Sequence, residues 1–198
     1  MEDSRQVQLI ADVQRLADSL GALPEPVAKP VFIAVSGLPG TGKSYFSAEL
    51  AERLPVVILE SDALRRVLFP KPDHSGREST RLFRACYLLI EKLLRRGISL
   101  ILDATNLAER YREELYHIAE HVGVNLILVR VTAPPSVVRE RLEARAKDPL
   151  SKSDADWEVY EAMQPAVERI RRKHYVVDTS KDITPVIEKI IREAKKGA

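Results

Sequence analysis

The chain has 198 residues, 45% of them hydrophobic and 30% charged, with a net charge of +2, enough apolar material for one core, with two small domains the alternative. That balance by itself points to neither nucleic acid nor an acidic membrane surface, and no apolar run approaches the ~18 residues that span a bilayer. MEDSRQVQ lacks the basic-then-apolar layout of a signal peptide, and the lone Cys86, read as a small buried residue of a helix, excludes an internal disulfide; a cytoplasmic protein in a reducing compartment, with no membrane partner, is expected.

Residues 1–20 form an amphipathic pattern with Leu9, Ile10, Val13, Leu16, Ala17 and Leu20 on one stripe. This predicts a helix, docked either on the following domain or on a partner. Gly21 stops it, and Pro24, Pro26 and Pro30 mark a linker, so residues 1–30 read as an N-terminal appendage to a domain over 31–198.

From Val31 the pattern alternates between strand and helix. Strands are predicted at Val31–Ser36, Val56–Glu60, Ile98–Asp103, Asn125–Val131 and His174–Asp178, with a last helix from about Ile183 to Ala194. Near-continuous apolar strands suit a parallel sheet covered on both faces, an α/β three-layer sandwich with ligands at the carboxyl ends of its strands.

The first strand runs into GLPGTGKS, which fits G-x-x-x-x-G-K-[ST] residue by residue, and a helix with Phe46, Leu50 and Leu54 on one side follows. Gly37, Gly40 and Gly42 let the backbone curl so that its N–H groups point inward at phosphate oxygens. Lys43 sets a cation against the β- and γ-phosphates and the Ser44 hydroxyl reaches Mg²⁺, while the helix dipole adds to the anion site. The nucleotide site is thus expected at Gly37, Leu38, Pro39, Gly40, Thr41, Gly42, Lys43, Ser44 and Tyr45.

The second strand ends at Glu60-Ser61-Asp62, with Arg65 one helical step beyond Asp62. Asp62 reads either as the base that accepts an acceptor hydroxyl's proton or, with Ser61, as a helix cap. Arg65 either grips an acceptor phosphate, orients the carboxylate, or is a solvated partner. The third strand closes on Asp103, a Walker B type carboxylate for Mg²⁺, followed by Thr105 and Asn106, which either bond the acceptor or cap a helix over Leu107–Val122. Residues 61–97 hold nine lysines and arginines against four acids, a basic rim for an anionic acceptor or a solvated helix face. Within it Phe69 to Thr80 reads as a loop, with His74 as plain surface.

Between Val131 and His174 about forty residues show helical pattern only, punctuated by Pro134, Pro135, Pro149 and Pro165. Such an excursion, about 133–172, suits a lid over the phosphates. Arg139, Arg141 and Arg145 fall on its first helix, where a closing lid would bring an arginine to the transferred phosphoryl group. Ser153 and Asp156 read as a capping pair for its second helix, and Trp157 and Tyr160 as helix packing. His117, His121 and His174 show no metal-ligand spacing, so no zinc site is expected. Neither N-K-x-D nor LSGGQ occurs, which favours ATP over a guanine-specific switch or a transporter ATPase.

On GLPGTGKS, SDALRR, LILDATN and RERLEAR…SDADWEVYEAMQ before HYVVDTS, the chain from Val31 to about Ile190 resembles the small P-loop kinases of the AAA-type family. That family includes polynucleotide 5′-hydroxyl kinases, zeta-toxin kinases and chloramphenicol phosphotransferase-like enzymes. The resemblance implies a sheet order 2-3-1-4-5, a catalytic Asp62 with Arg65 binding an acceptor phosphate, a lid arginine at Arg145 with Arg141 second, and Thr179 to Asp182 bordering the adenine. ATP and Mg²⁺ are the implied cofactors. The expected partner is a hydroxyl-bearing acceptor: a polynucleotide 5′ end, a small metabolite or an antibiotic. An ATPase switch that signals through residues 1–20 is the competing class, and monomer or homodimer stays open.

Overall fold

A computed structural model describes residues 2–147 and 155–196. Its strands are β1 (Val31–Ser36), β2 (Val57–Glu60), β3 (Leu100–Asp103), β4 (Asn125–Thr132) and β5 (Tyr175–Asp178), paired all-parallel in the order β2-β3-β1-β4-β5. The expected order and strand set are therefore observed. The ends differ by a residue or two. β3 starts at Leu100 rather than Ile98, because the Ile98 amide donates back to the Leu93 carbonyl at the end of the preceding helix. β4 gains Thr132, which pairs with Asp178.

The helices are α1 (Glu2–Asp18), α2 (Lys43–Ala51), α3 (Ser61–Leu68), α4 (Gly76–Arg95), α5 (Glu109–Val122), α6 (Pro135–Ala146), α7 (Trp157–Met163) and α8 (Thr184–Lys196). Alternate residues of the central strand feed two cores, as strand geometry requires. Phe32 and Ala34 meet α1, α3, α4 and α5 on one face, while Ile33 and Val35 meet Phe46 and Leu50 of α2 and Ile187 and Ile190 of α8 on the other.

The parallel register places the site. Val35 of β1 and Glu60 of β2 both lie opposite Asp103 of β3, so the loops after three adjacent strands open at one edge of the sheet.

Four details depart from the sequence-based expectations. The docked stripe of α1 runs through Asp12 rather than Ile10, which is exposed; Asp12 is buried and takes two bonds from Arg81 of α4, 2.6 Å from Nε and 2.7 Å from Nη2. The loop after Phe69 ends at Ser75 rather than Thr80, because the Ser75 hydroxyl caps α4 by accepting from the Glu78 amide. Glu78 in turn accepts from the Asp73 and His74 amides. Asn106 is no helix cap: α5 begins at Glu109 without a side-chain cap, and the Asn106 amide nitrogen donates instead to the Val35 carbonyl. Ser61 and Asp62 are likewise inside α3, which starts after Glu60, so neither caps it.

The excursion between β4 and β5 holds α6, α7 and a short 3₁₀ turn at Gln164–Ala166. Ser153 lies outside the described residues; Asp156 itself caps α7 by accepting from the Val159 amide. Val138, Leu142, Tyr160 and Trp157 form a small separate core against Leu38 of the loop after β1, with Trp157 and Tyr160 rings 4.8 Å apart. The return segment is pinned by the fully buried Arg112 of α5. Its guanidinium donates to the carbonyls of Asn106, Leu107, Glu168 and Arg169 and to the Glu109 carboxylate.

Candidate active site

The loop from Gly37 to Ser44 joins β1 to α2 and is fixed from beneath and from the side. The Gly37 amide donates to the Thr105 carbonyl and the Ser36 hydroxyl to Thr105 and Asn106. Two glycines are compelled by sterics. Gly42 caps α2 at φ +89, and a Cβ there would lie 2.9 Å from the Thr179 hydroxyl. Gly40, at φ +75, would strike Val138 of α6 at 2.8 Å. Only glycine accepts that backbone and that closeness together. The first amides of α2 are left without intrahelical partners and face the loop's concavity, a ready anion site.

Lys43 opens α2, and its ammonium donates to the Leu38 carbonyl at 3.1 Å. Burial pulls its pKa below the ordinary lysine value, the carboxylates of Asp103, Asp62 and Glu60 work against that, and Arg145 reinforces it. These four charged groups therefore lie within electrostatic reach of the same amine.

Asp103 is almost fully buried at the end of β3. Burial raises its carboxyl pKa, opposed by Lys43 and by the hydroxyl of Ser44. Its Oδ2 has no hydrogen-bond partner, and neither has the buried Ser47 hydroxyl. An orphaned carboxylate oxygen beside Ser44 is a costly arrangement unless a cation completes it. The donor set of Ser44 and Asp103, two hard oxygens, fits Mg²⁺.

These groups line one cleft of about 1810 Å³, which also takes in Asp62, Arg65, Arg141, Arg145 and Thr179. Asp62 stands on its wall beside Glu60 and Ser61, at the mouth of β2. Arg65 is buried and does not pair with Asp62. It donates to Glu78 at 3.2 Å and Ser79 at 3.1 Å, and its Nε lacks a partner. The predicted pair thus shares a helix face, but the arginine is anchored to α4.

The excursion's arginines divide three ways. Arg145 approaches Lys43 electrostatically from across the cleft. Arg141 is bound to Thr179, through the hydroxyl at 2.7 Å and the carbonyl at 2.9 Å. The Thr179 hydroxyl donates on to the Thr41 carbonyl at 2.7 Å, so Arg141 couples α6 to the phosphate-loop backbone. Arg139 instead stacks over Trp157 at 4.3 Å, away from the cleft. The exposed His74, read as plain surface, also faces the cleft, from a left-handed backbone.

Sequence reasoning missed Phe83 and Tyr87 of α4 and Arg110, Tyr111 and Glu114 of α5, which line the far wall. Helical spacing of Ser79, Phe83 and Tyr87 could have shown that one face of α4 is neither all core nor all solvent. Nothing in the sequence told that this face meets α5 along the wall of a cleft.

Residues 32–170, well over half of the chain, match the AAA domain family AAA_33. The chain belongs to that family. Over 116 residues this AAA domain protein is 29% identical to an L-seryl-tRNA(Sec) kinase from Methanococcus maripaludis, a match that covers 56% of this chain and 44% of the relative. The chain therefore matches less than half the length of that relative. Among solved structures, APE1195 superposes with a TM-score of 0.71 at 20% identity, covering 87% of this chain and 98% of that one. The APS kinase CysC of Mycobacterium tuberculosis, solved with AMPPNP and APS, gives 0.64 at 16% identity, covering 85% and 98%. At those identities the likeness shows the fold, that of the P-loop kinases. Among the described residues no helix is long and apolar enough to cross a membrane.

Proposed function

We propose that this AAA domain protein transfers the γ-phosphoryl group of ATP to an alcohol, with the acceptor hydroxyl at Asp62 and a polynucleotide 5′-hydroxyl as the acceptor. The observation behind this reading is the parallel register that sets Glu60 and Val35 opposite Asp103. It gathers a phosphate loop, a buried carboxylate and an accessible carboxylate around one amine. The phosphates lie in the loop from Gly37 to Tyr45, with Lys43 released from the Leu38 carbonyl to the β- and γ-oxygens. Ser44 and Asp103 would hold Mg²⁺, which would supply positive charge to the phosphates.

Asp62 accepts the proton of the acceptor hydroxyl as its oxygen bonds to the γ-phosphorus. The bond between that phosphorus and the β–γ bridging oxygen breaks, leaving ADP and a phosphate monoester. Arg145, on the excursion acting as a lid, meets the charge that develops on the transferred group. Arg141 is a positioning residue, since its bonds to Thr179 hold the lid's first helix against the loop. The relative named for a seryl-tRNA substrate supports an acceptor carried on nucleic acid.

A second reading follows from the neighbour that holds APS beside AMPPNP: a small nucleotide-like alcohol in place of a polynucleotide end. Transfer from γ-labelled ATP to a panel of 5′-hydroxyl DNA and RNA strands, nucleosides, sugars and amino alcohols separates the two. Label on strand ends, abolished by Lys43→Ala, is the expected outcome. Label on a sugar or nucleoside alone would remove the polynucleotide acceptor, and phosphate release into water alone would leave an ATPase switch.

A further inference from the structure

We infer that the far wall of the cleft is a stacking subsite for unpaired bases, which receives the nucleotides next to the hydroxyl held at Asp62. The inference rests on the proposed phosphotransferase reading for the direction of the strand. Its own support is separate.

Gly76, Ser79, Thr80, Phe83, Arg84 and Tyr87 of α4 all line the cleft, and they follow the spacing of a single helix face. From Gly76 to Tyr87 that face runs about 16 Å at 1.5 Å per residue. Arg65, from the same helix as Asp62, is fastened to Ser79, so the strip lies beside the helix that carries Asp62. At about 3.4 Å per nucleotide along one strand, it is long enough for several bases.

The strip ends in a row of planar groups. The Phe83 ring lies 5.9 Å from Tyr87 and 6.4 Å from Tyr111 of α5, the latter pair tilted by only 27°. The Arg110 guanidinium covers Tyr111 at 4.8 Å. Core packing accounts for part of Phe83 and for the buried Tyr87 hydroxyl, but Tyr111 is 41% exposed. Aromatic faces and guanidinium planes at a cleft wall are the means by which proteins hold splayed bases without reading sequence.

Charge agrees. Arg84 and Arg110 are exposed at the rim and Glu114 is the acid among them, a net positive edge for a phosphate backbone. Arg110 holds Tyr111 by its contact over the ring and by a solvent-exposed bond from Nη2 to the Tyr111 hydroxyl at 3.0 Å, both of which water can replace, so a base can take the outer face of Tyr111 while the guanidinium turns to the adjoining phosphate. Size agrees as well. A small-molecule site occupies roughly 300–1,000 Å³, whereas this cleft holds about 1810 Å³. ATP and a sugar-sized alcohol would leave the aromatic wall uncovered.

The test measures binding of a 5′-hydroxyl thymidine hexamer and of an abasic hexamer with the same phosphates, by fluorescence anisotropy with Mg·ADP present. The hexamer is expected to bind at least about tenfold more tightly than the abasic strand. Tyr111→Ala should remove most of that ratio at unchanged melting temperature, and Phe83→Ala should remove it at a lowered one, since Phe83 also packs on the core; because Tyr111 is exposed, its variant keeps the test valid if Phe83→Ala misfolds. Equal affinity for the two strands, an equal loss for both in Tyr111→Ala, or no binding of either would overturn the subsite. If the hexamer binds through Tyr111 and no phosphoryl group is transferred, the subsite stands and the kinase reading falls. If a sugar or amino alcohol is phosphorylated and the hexamer is not bound, the subsite falls and the kinase reading stands.

Discussion

At the scale of single residues, the candidate site is destabilising for the protein that carries it. Asp103 is buried with an oxygen that nothing satisfies, and burial raises its pKa despite Lys43 and the neighbouring hydroxyl of Ser44. A carboxyl raised in the folded state holds its proton when the unfolded chain has lost it. Stability is therefore greatest below the unfolded value of 3.8 and falls as pH rises through the raised folded value. At neutral pH the ionised group is a net cost, of the order of 1–3 kcal/mol for an unsatisfied buried oxygen. Asp103→Asn should raise the melting temperature of the ligand-free protein at pH 7 by a few degrees, at about 2–4 °C per kcal/mol, and abolish the further rise that Mg·ATP produces. Thermal melts with and without Mg·ATP check both halves; a variant that melts lower and still responds to Mg·ATP would refute the metal role. Residue types placed Lys43, Ser44 and Asp103 together at strand ends in advance, and all three line the one cleft. Of the two readings they left for Asn106, the helix cap fails, because its side chain bonds the Val35 carbonyl instead of a helix end.

At the scale of elements, α1 backs the two helices that line the cleft opposite the lid. It packs on α3, which bears Asp62, and on α4, which bears the aromatic row. Its strongest tie is Asp12 to Arg81. Burial alone would raise the Asp12 pKa, but bonds from Arg81 and Gln8 hold it below the usual value, so this contribution is present above 3.8 and lost as pH falls through the lowered folded value. Removing the arginine strands a buried carboxylate. Arg81→Ala should cost about 1–2 kcal/mol, the pair being partly screened by solvent and Gln8 still donating to Asp12, with Arg81→Lys recovering part of it, as measured by urea denaturation at pH 7; a loss within about 0.5 kcal/mol would mean that α1 is held by its apolar stripe alone. The sequence stripe located this helix, yet counted Ile10 and missed Asp12, since a hydropathy pattern cannot tell a buried carboxylate from a solvated one until its cation, 69 residues away, is in place. The start of α4 was legible: Ser75 and Glu78 have the S-x-x-E spacing of a capping box, overlooked among the prolines and glycine around it.

At the scale of the whole molecule, one sheet order explains why distant motifs meet. β1 lies between β3 and β4, so the loops after β1, β2 and β3 share an edge, and the excursion after β4 closes over it through Arg141, Thr179 and Thr41. The strand order was legible only through resemblance to a family, because apolar runs give the existence of strands and not their neighbours. The aromatic wall was not legible, since it arises where α4 and α5 pack side by side along one wall of the cleft. The central claim is that Asp62 takes the proton in a transfer for which the phosphate loop only holds the donor. The most direct measurement compares the wild type and Asp62→Asn for the single-turnover rate of γ-phosphoryl transfer to a 5′-hydroxyl strand, alongside ATP affinity. The account predicts a rate lowered about 10²- to 10⁴-fold with ATP affinity unchanged; transfer at the wild-type rate in Asp62→Asn would contradict it.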